Sequence, residues 1–125
     1  MKLLLDTHLV LWVMQDSRKL SAAARKQIRM ADASYVSAAS LWEIDIKASL
    51  GKLEIDSEAL EEELEAAGLQ ALPITWQHTT QVRKLPMHHR DPFDRMLIAQ
   101  AISEPLRFLT HDEGLSRYSD LVTVV

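Results

Sequence analysis

The sequence predicts an α/β fold: a single α/β/α domain with a mostly parallel central sheet flanked by helices. Three observations carry this. Short apolar runs of strand length alternate with longer segments of helical period, the order that builds parallel sheets from βα units. The 125 residues suit one core, so one domain is expected over residues 1–125. Acidic residues also recur just past apolar runs (Asp6, Asp112) or early in helices (Glu43, Asp94). In open α/β sheets, ligands gather beyond the carboxyl ends of the strands.

Each element has its own signal. Lys2 to Leu5 is short and apolar, as expected of a strand buried on both faces. His8 to Met14 has room for one or two helical turns. Ser21 to Met30 is predicted as a helix with Ser21 as its N-cap. Ser34 to Ser37 is the second strand. A helix follows over Ser40 to Leu50, and Gly51 stands at the C′ position that ends it. Ser57 to Ala67 is a further helix, with Leu60, Leu64 and Ala67 on one face and Gly68 as its stop. Gln70 to Pro73 is the third strand, and Thr75 to Lys84 is a helix. Pro92 to Ser103 is the best-defined helix. Asp91-Pro92 opens it as cap and N1 proline, and Pro105 closes it. Leu106 to Leu109 and Leu121 to Val124 are the last two strands. No repeat, linker or low-complexity stretch intervenes.

Composition narrows the chemistry. Hydrophobic residues make up 47% and charged residues 26%, an ordinary globular balance. The chain has no cysteine, which excludes disulfides, thiolate metal sites and cysteine nucleophiles. That usage suits a reducing cytosol, so a cytoplasmic location is expected. Met1 to Leu5 resembles the start of a signal peptide, but Asp6 and His8 break the run, and it reads as mature structure. No stretch approaches the ~18 apolar residues of a membrane helix, so no membrane partner is expected. The net charge of −4 argues at first against a nucleic-acid partner. The excess is local. Residues 52–65 carry seven acids against Lys52, and the remainder has 13 Lys and Arg against 11 acids. Outside that segment the chain is mildly basic, which leaves RNA open as a partner.

Four acids are candidates for a shared site, and each has a structural alternative. Asp6 ends the first strand and could simply cap the next helix; Thr7 could cap it equally well, leaving the Asp6 carboxylate free. Glu43 stands four residues before Lys47, the favourable order for a surface ion pair. Yet Ala39, Glu43, Ile46 and Leu50 share a stripe, which points Glu43 along the packed side. Asp91 and Asp94 need separate roles. Asp91 suits the cap, whereas Asp94 falls at N3, where an acid complements the helix dipole. Asp94 also shares a face with Leu97, Ile98 and Ala101, so it heads the core side of the helix. Asp112 follows Thr110 and His111, with a turn or a cap as its alternative. Clustered carboxylates of this kind suit hard cations such as Mg²⁺.

His8, His78, His88, His89 and His111 show no paired helical spacing of a zinc site. His88, His89 and Arg90, with Arg83, Lys84 and Arg95, form the most basic segment. It reads either as a solvated loop or as phosphate contacts beside the acids. Trp12, Trp42 and Trp76 read as core or interface anchors rather than base-stacking platforms.

Together these residues resemble a known family. Leu5-Asp6-Thr7, Ser37-Ala38-Ala39-Ser40-Leu41-Trp42-Glu43-Ile44 and the stretch from His89 to Ala101 are similar to the motifs of PIN-domain ribonucleases. The nearest type is the VapC-like toxins of bacterial toxin–antitoxin pairs. The resemblance runs from Leu3 to Tyr118. It implies metal-binding acids at Asp6, Glu43 and Asp94, a more variable fourth at Asp112, and a hydroxyl position at Thr110. Thr7, Thr110, Arg90 and Arg95 become candidate substrate contacts. The resemblance further implies Mg²⁺ (with Mn²⁺ able to substitute), single-stranded RNA as substrate, a homodimer, and a small antitoxin that blocks the site. The chain offers no covalent nucleophile with its own base, so metal-activated water is the expected nucleophile. Two rivals stand beside this reading: a catalytically idle binding module of the same fold, and an aspartate phosphotransferase or receiver-like domain. The second wants a Lys at a late strand end, where this chain has Thr110-His111-Asp112.

Overall fold

A computed structural model describes residues 1–125. Five strands form one sheet: β1 (Lys2–Leu5), β2 (Ala33–Ser37), β3 (Leu69–Leu72), β4 (Arg107–Thr110) and β5 (Val122–Val124). The order is β3-β2-β1-β4-β5, and every pairing is parallel. The helices are α1 (Thr7–Met14), α2 (Ala22–Met30), α3 (Ala38–Ser49), α4 (Leu60–Ala66), α5 (Trp76–Lys84) and α6 (Pro92–Ser103). A short 3-10 helix over Glu113–Tyr118, which the sequence did not suggest, links β4 to β5.

β1 is the central strand, and its three leucines are fully buried. Successive strand side chains point to opposite faces. Leu3 and Leu5 pack with Leu9, Val10, Ala24, Leu60 and Leu64 from α1, α2 and α4, and with Leu20 from the α1–α2 connection. Leu4 packs with Leu97, Ile98 and Ala101 of α6 and with Phe108. The sheet is therefore covered on both faces, as a parallel sheet requires.

Most boundaries fall within a few residues of the prediction, and the differences have local causes. α3 begins at Ala38 rather than Ser40, because the Ser37 side chain accepts the Ala39 N–H at 3.0 Å and caps it. α4 begins at Leu60 rather than Ser57. Asp56 Oδ1 accepts the Glu58 N–H at 3.1 Å, a turn that competes with helix, and Leu60 is the first residue of the segment to be buried. Gly51 and Gly68 follow their helices with φ of +73° and +84°, the left-handed region that favours glycine.

The strand order fixes where a site can form. From β1 the chain steps outward to β2 and β3, then returns to place β4 on the other side of β1. The reversal lies between β1 and β4, so a crevice opens beyond their carboxyl ends. Asp6 follows β1 there, and His111 and Asp112 follow β4.

Candidate active site

Asp6 closes the gap between the two strands. Its N–H donates to Leu109 O at 3.0 Å, across the switch point. Its Oδ1 accepts the Leu9 N–H at 2.8 Å, so Asp6, and not Thr7, caps α1. Its Oδ2 accepts the Thr110 hydroxyl at 2.5 Å and the His111 N–H at 3.3 Å. The sequence left both residues open as the cap of α1. Asp6 is buried with three donors aimed at it. Thr7 is the first residue of α1, and its hydroxyl donates to Ser40 Oγ at 2.9 Å, tying α1 to α3. Thr110 Oγ1 also accepts the Asp112 N–H at 3.0 Å, shaping the turn after β4.

A cleft of about 310 Å³ opens at this point, lined by Asp6, Thr7, His8, Trp12, Glu43, Lys47, Asp91, Asp94, His111 and Asp112. All four predicted acids line it, and Asp91 joins them. Lys47 is the one Lys or Arg among these residues, and it meets Glu43 Oε2 at 3.1 Å. The expected surface pair therefore forms, but Glu43 is only 13% exposed and still borders the cleft.

Asp91 takes the expected role of cap. Asp91 Oδ1 accepts the N–H groups of Phe93 at 2.8 Å and Asp94 at 3.2 Å, capping α6. The Asp94 carboxyl is pushed up to about 7. Burial is the main cause, and the negative charges of Asp91, Glu43 and Asp6 add to it, while His89 works against them. Asp112 is more exposed and takes its alternative role as well, since its Oδ1 accepts the Gly114 N–H at 2.9 Å. Its other oxygen lies 3.5 Å from His89 Nε2, and His89 Nδ1 lies 3.7 Å from Asp94 Oδ2. The three side chains His89, Asp94 and Asp112 bring ligand atoms within 4.8 Å of one another. The oxygen-rich donor set fits a hard divalent cation, which would offset the crowding of carboxylates. His89 was expected at most to touch phosphate. Its place beside Asp112 depends on a contact 23 residues away in sequence, which no local spacing announces.

Two expected substrate contacts move. Arg95 is buried, and its guanidinium donates to Pro86 O at 2.9 Å, Val82 O at 3.3 Å and Tyr118 Oη at 3.4 Å. One residue beyond Asp94 is about 100° around the helix, which turns Arg95 toward α5 and away from the acids. This corrects the expectation of an RNA contact at Arg95. Arg90 is exposed and borders an adjoining apolar groove with Trp42, Ile74, Met87 and Phe93, rather than the acidic cleft itself. Trp42 packs edge-on against Phe93 at 5.3 Å yet stays 62% exposed, and Trp76 is 91% exposed, so neither is a core residue. The acidic segment stays clear of the cleft: Glu61 and Glu65 border a separate hollow beside β3.

Comparison with known proteins agrees with this geometry. The family model described as PIN domain matches residues 3–121. Three solved structures share the fold. The Rickettsia felis VapBC2 complex bound to a promoter DNA fragment matches with a TM-score of 0.72 at 14% identity, over 100% of this chain and 98% of that one. A toxin–antitoxin complex from Klebsiella pneumoniae matches with 0.66 at 13% identity, over 97% and 95%. FitAcB from Neisseria gonorrhoeae matches with 0.64 at 18% identity, over 98% and 96%. No curated protein matches the sequence.

Proposed function

This chain belongs to the PIN-domain family, and from that premise we propose that it is a divalent-metal-dependent endoribonuclease acting on single-stranded RNA, the toxin of a toxin–antitoxin pair. The observation that carries the reading is the convergence of Asp6, Glu43, Asp94 and Asp112 on one cleft at the switch point of a parallel sheet. The solved complexes of the same fold, described as VapBC2 with promoter DNA and as a toxin–antitoxin complex, support an antitoxin as partner.

Asp6, Glu43 and Asp94, with Asp112, would hold Mg²⁺, or Mn²⁺ in its place. The cation supplies the positive charge and the lowered water pKa that phosphodiester hydrolysis needs. The protein's own groups do the rest. Asp6 is fixed by donors from Leu9, Thr110 and His111, so its oxygens are preorganised rather than gathered on binding. Lys47 balances Glu43 and holds its side chain along the cleft wall. Asp91 fixes the start of α6 and so sets the position of Asp94. Arg90, exposed on the groove that adjoins the cleft, supplies a cationic contact for the RNA backbone. The exposed groove of Trp42, Met87 and Phe93 is the candidate homodimer contact.

The test is cleavage of a single-stranded RNA pool by the purified protein. Mg²⁺ or Mn²⁺ should support cleavage, excess chelator should stop it, and Asp94→Asn should abolish it. Full folding with no cleavage in either metal would sink the enzyme reading in favour of an idle binding module.

A further inference from the structure

The loop between α5 and α6 carries no regular structure, yet it is pinned at both ends. Arg95 reaches back from α6 to hold Pro86 O at 2.9 Å. Tyr118, at the end of the 3-10 helix, accepts the His89 N–H on its hydroxyl at 2.7 Å, and Arg95 donates to the same hydroxyl at 3.4 Å. One side chain from the following helix and one from the distant 3-10 helix thus fix the backbone around His89. What they fix is an imidazole beside Asp94 and Asp112.

We propose that His89 supplies a nitrogen ligand to the metal site, so that its Asp94–Asp112 end favours a first-row transition cation such as Mn²⁺ over Mg²⁺. The inference rests on the metal-nuclease reading and sharpens its choice of cation. The distances support it. Nδ1 lies 3.7 Å from Asp94 Oδ2 and Nε2 lies 3.5 Å from Asp112 Oδ2, too far for direct hydrogen bonds. These distances run to the two ring nitrogens separately, but a single His89 nitrogen also lies within 4.8 Å of one oxygen of each carboxylate. Ligands of one ion, each at about 2.1 Å, stand roughly 3 to 4 Å apart, so a small closing of the three side chains places them on one cation. The Asp91 N–H donates to Nδ1 at 3.3 Å, so that nitrogen carries a lone pair, and only a long bond now uses it. Imidazole suits transition cations, whereas Mg²⁺ takes oxygen ligands and gives up its water reluctantly.

The experiment uses the whole chain, stripped of metal and titrated with Mn²⁺ or Mg²⁺. Pulsed electron paramagnetic resonance of the Mn²⁺-loaded wild type should show modulation from a coordinated ¹⁴N. His89→Ala should lose that modulation and about tenfold or more in Mn²⁺ affinity, while Mg²⁺ affinity changes far less. Absence of nitrogen modulation in wild type overturns the proposal, and this reading needs no variant to fold. Because His8 and His111 line the cleft, modulation that survives in His89→Ala assigns the nitrogen to one of them and overturns it too. So does unchanged Mn²⁺ affinity combined with weaker binding of uncleavable RNA, which makes His89 a phosphate contact. Metal-dependent cleavage without nitrogen ligation removes this inference and leaves the proposed function standing. Failure to bind Mn²⁺ at all removes both.

Discussion

At the residue scale, Asp91 is the cap of α6 and Asp94 the proposed metal ligand. Asp91→Asn keeps a capping side chain, so stability and cleavage should change little. Asp91→Ala should cost about 1 kcal/mol, read from denaturant unfolding. Asp94→Asn should leave the fold intact and remove cleavage. Its charge also gives the metal-free protein a pH signature. The folded state keeps the Asp94 proton up to about 7, whereas the unfolded chain releases it near 3.8. The folded protein therefore binds more protons across that window, and this contribution to stability is full at low pH and fades as pH rises through about 7. Melting temperatures in chelator should fall across that window in wild type, and the fall should be shallower in Asp94→Asn. Equal slopes would show that Asp94 does not titrate there. The capping role of Asp91 was legible, because Asp-Pro is a local signal. The identity of the cap of α1 was not, since Asp6 and Thr7 are adjacent good caps and only the β1–β4 junction decides between them.

At the element scale, the junction of β1, α1 and β4 depends on Asp6. One carboxylate caps α1 and accepts from Thr110 and His111 at the end of β4. Asp6→Ala should destabilise the fold by on the order of 2–3 kcal/mol, because it removes a helix cap and leaves the buried Thr110 hydroxyl without its acceptor. Glu43→Gln should cost far less than Asp6→Ala while still impairing cleavage, since its pairing with Lys47 is a side-chain contact at the cleft edge. Denaturant midpoints of the two variants compare them directly. A similar cost for both would mean that Asp6 carries no special structural role. The strands were legible because β1 reads Leu3-Leu4-Leu5 and needs burial on both faces, and the helix ends because Gly51, Gly68 and Asp91-Pro92 have local conformational meaning. Arg95 was misread for the opposite reason. Its partners are the carbonyls of Val82 and Pro86, and a carbonyl leaves no mark in a sequence. Tyr118 and His89 met unannounced because Tyr118 lies on a 3-10 helix lacking any strong apolar period, 29 residues from His89.

At the scale of the whole molecule, the parallel sheet collects acids from four separated parts of the chain into one cleft, and the proposed cation would offset their charges. Millimolar Mn²⁺ should raise the melting temperature, by about 2.7 kcal/mol of stabilisation at a hundredfold excess over Kd, and chelator should reverse the shift. Light scattering should report a dimer at tens of micromolar, roughly the range of a weak association, and Trp42→Ala should shift it toward monomer. The central claim is that Asp6, Glu43, Asp94 and Asp112 form one metal-dependent RNA-cleaving site. Its most direct measurement is the cleavage rate of single-stranded RNA by wild type and Asp94→Asn, each with Mn²⁺ and with chelator. Cleavage is expected in one condition alone, wild type with Mn²⁺. Wild-type cleavage that persists in chelator, or full activity of Asp94→Asn with Mn²⁺, would contradict it.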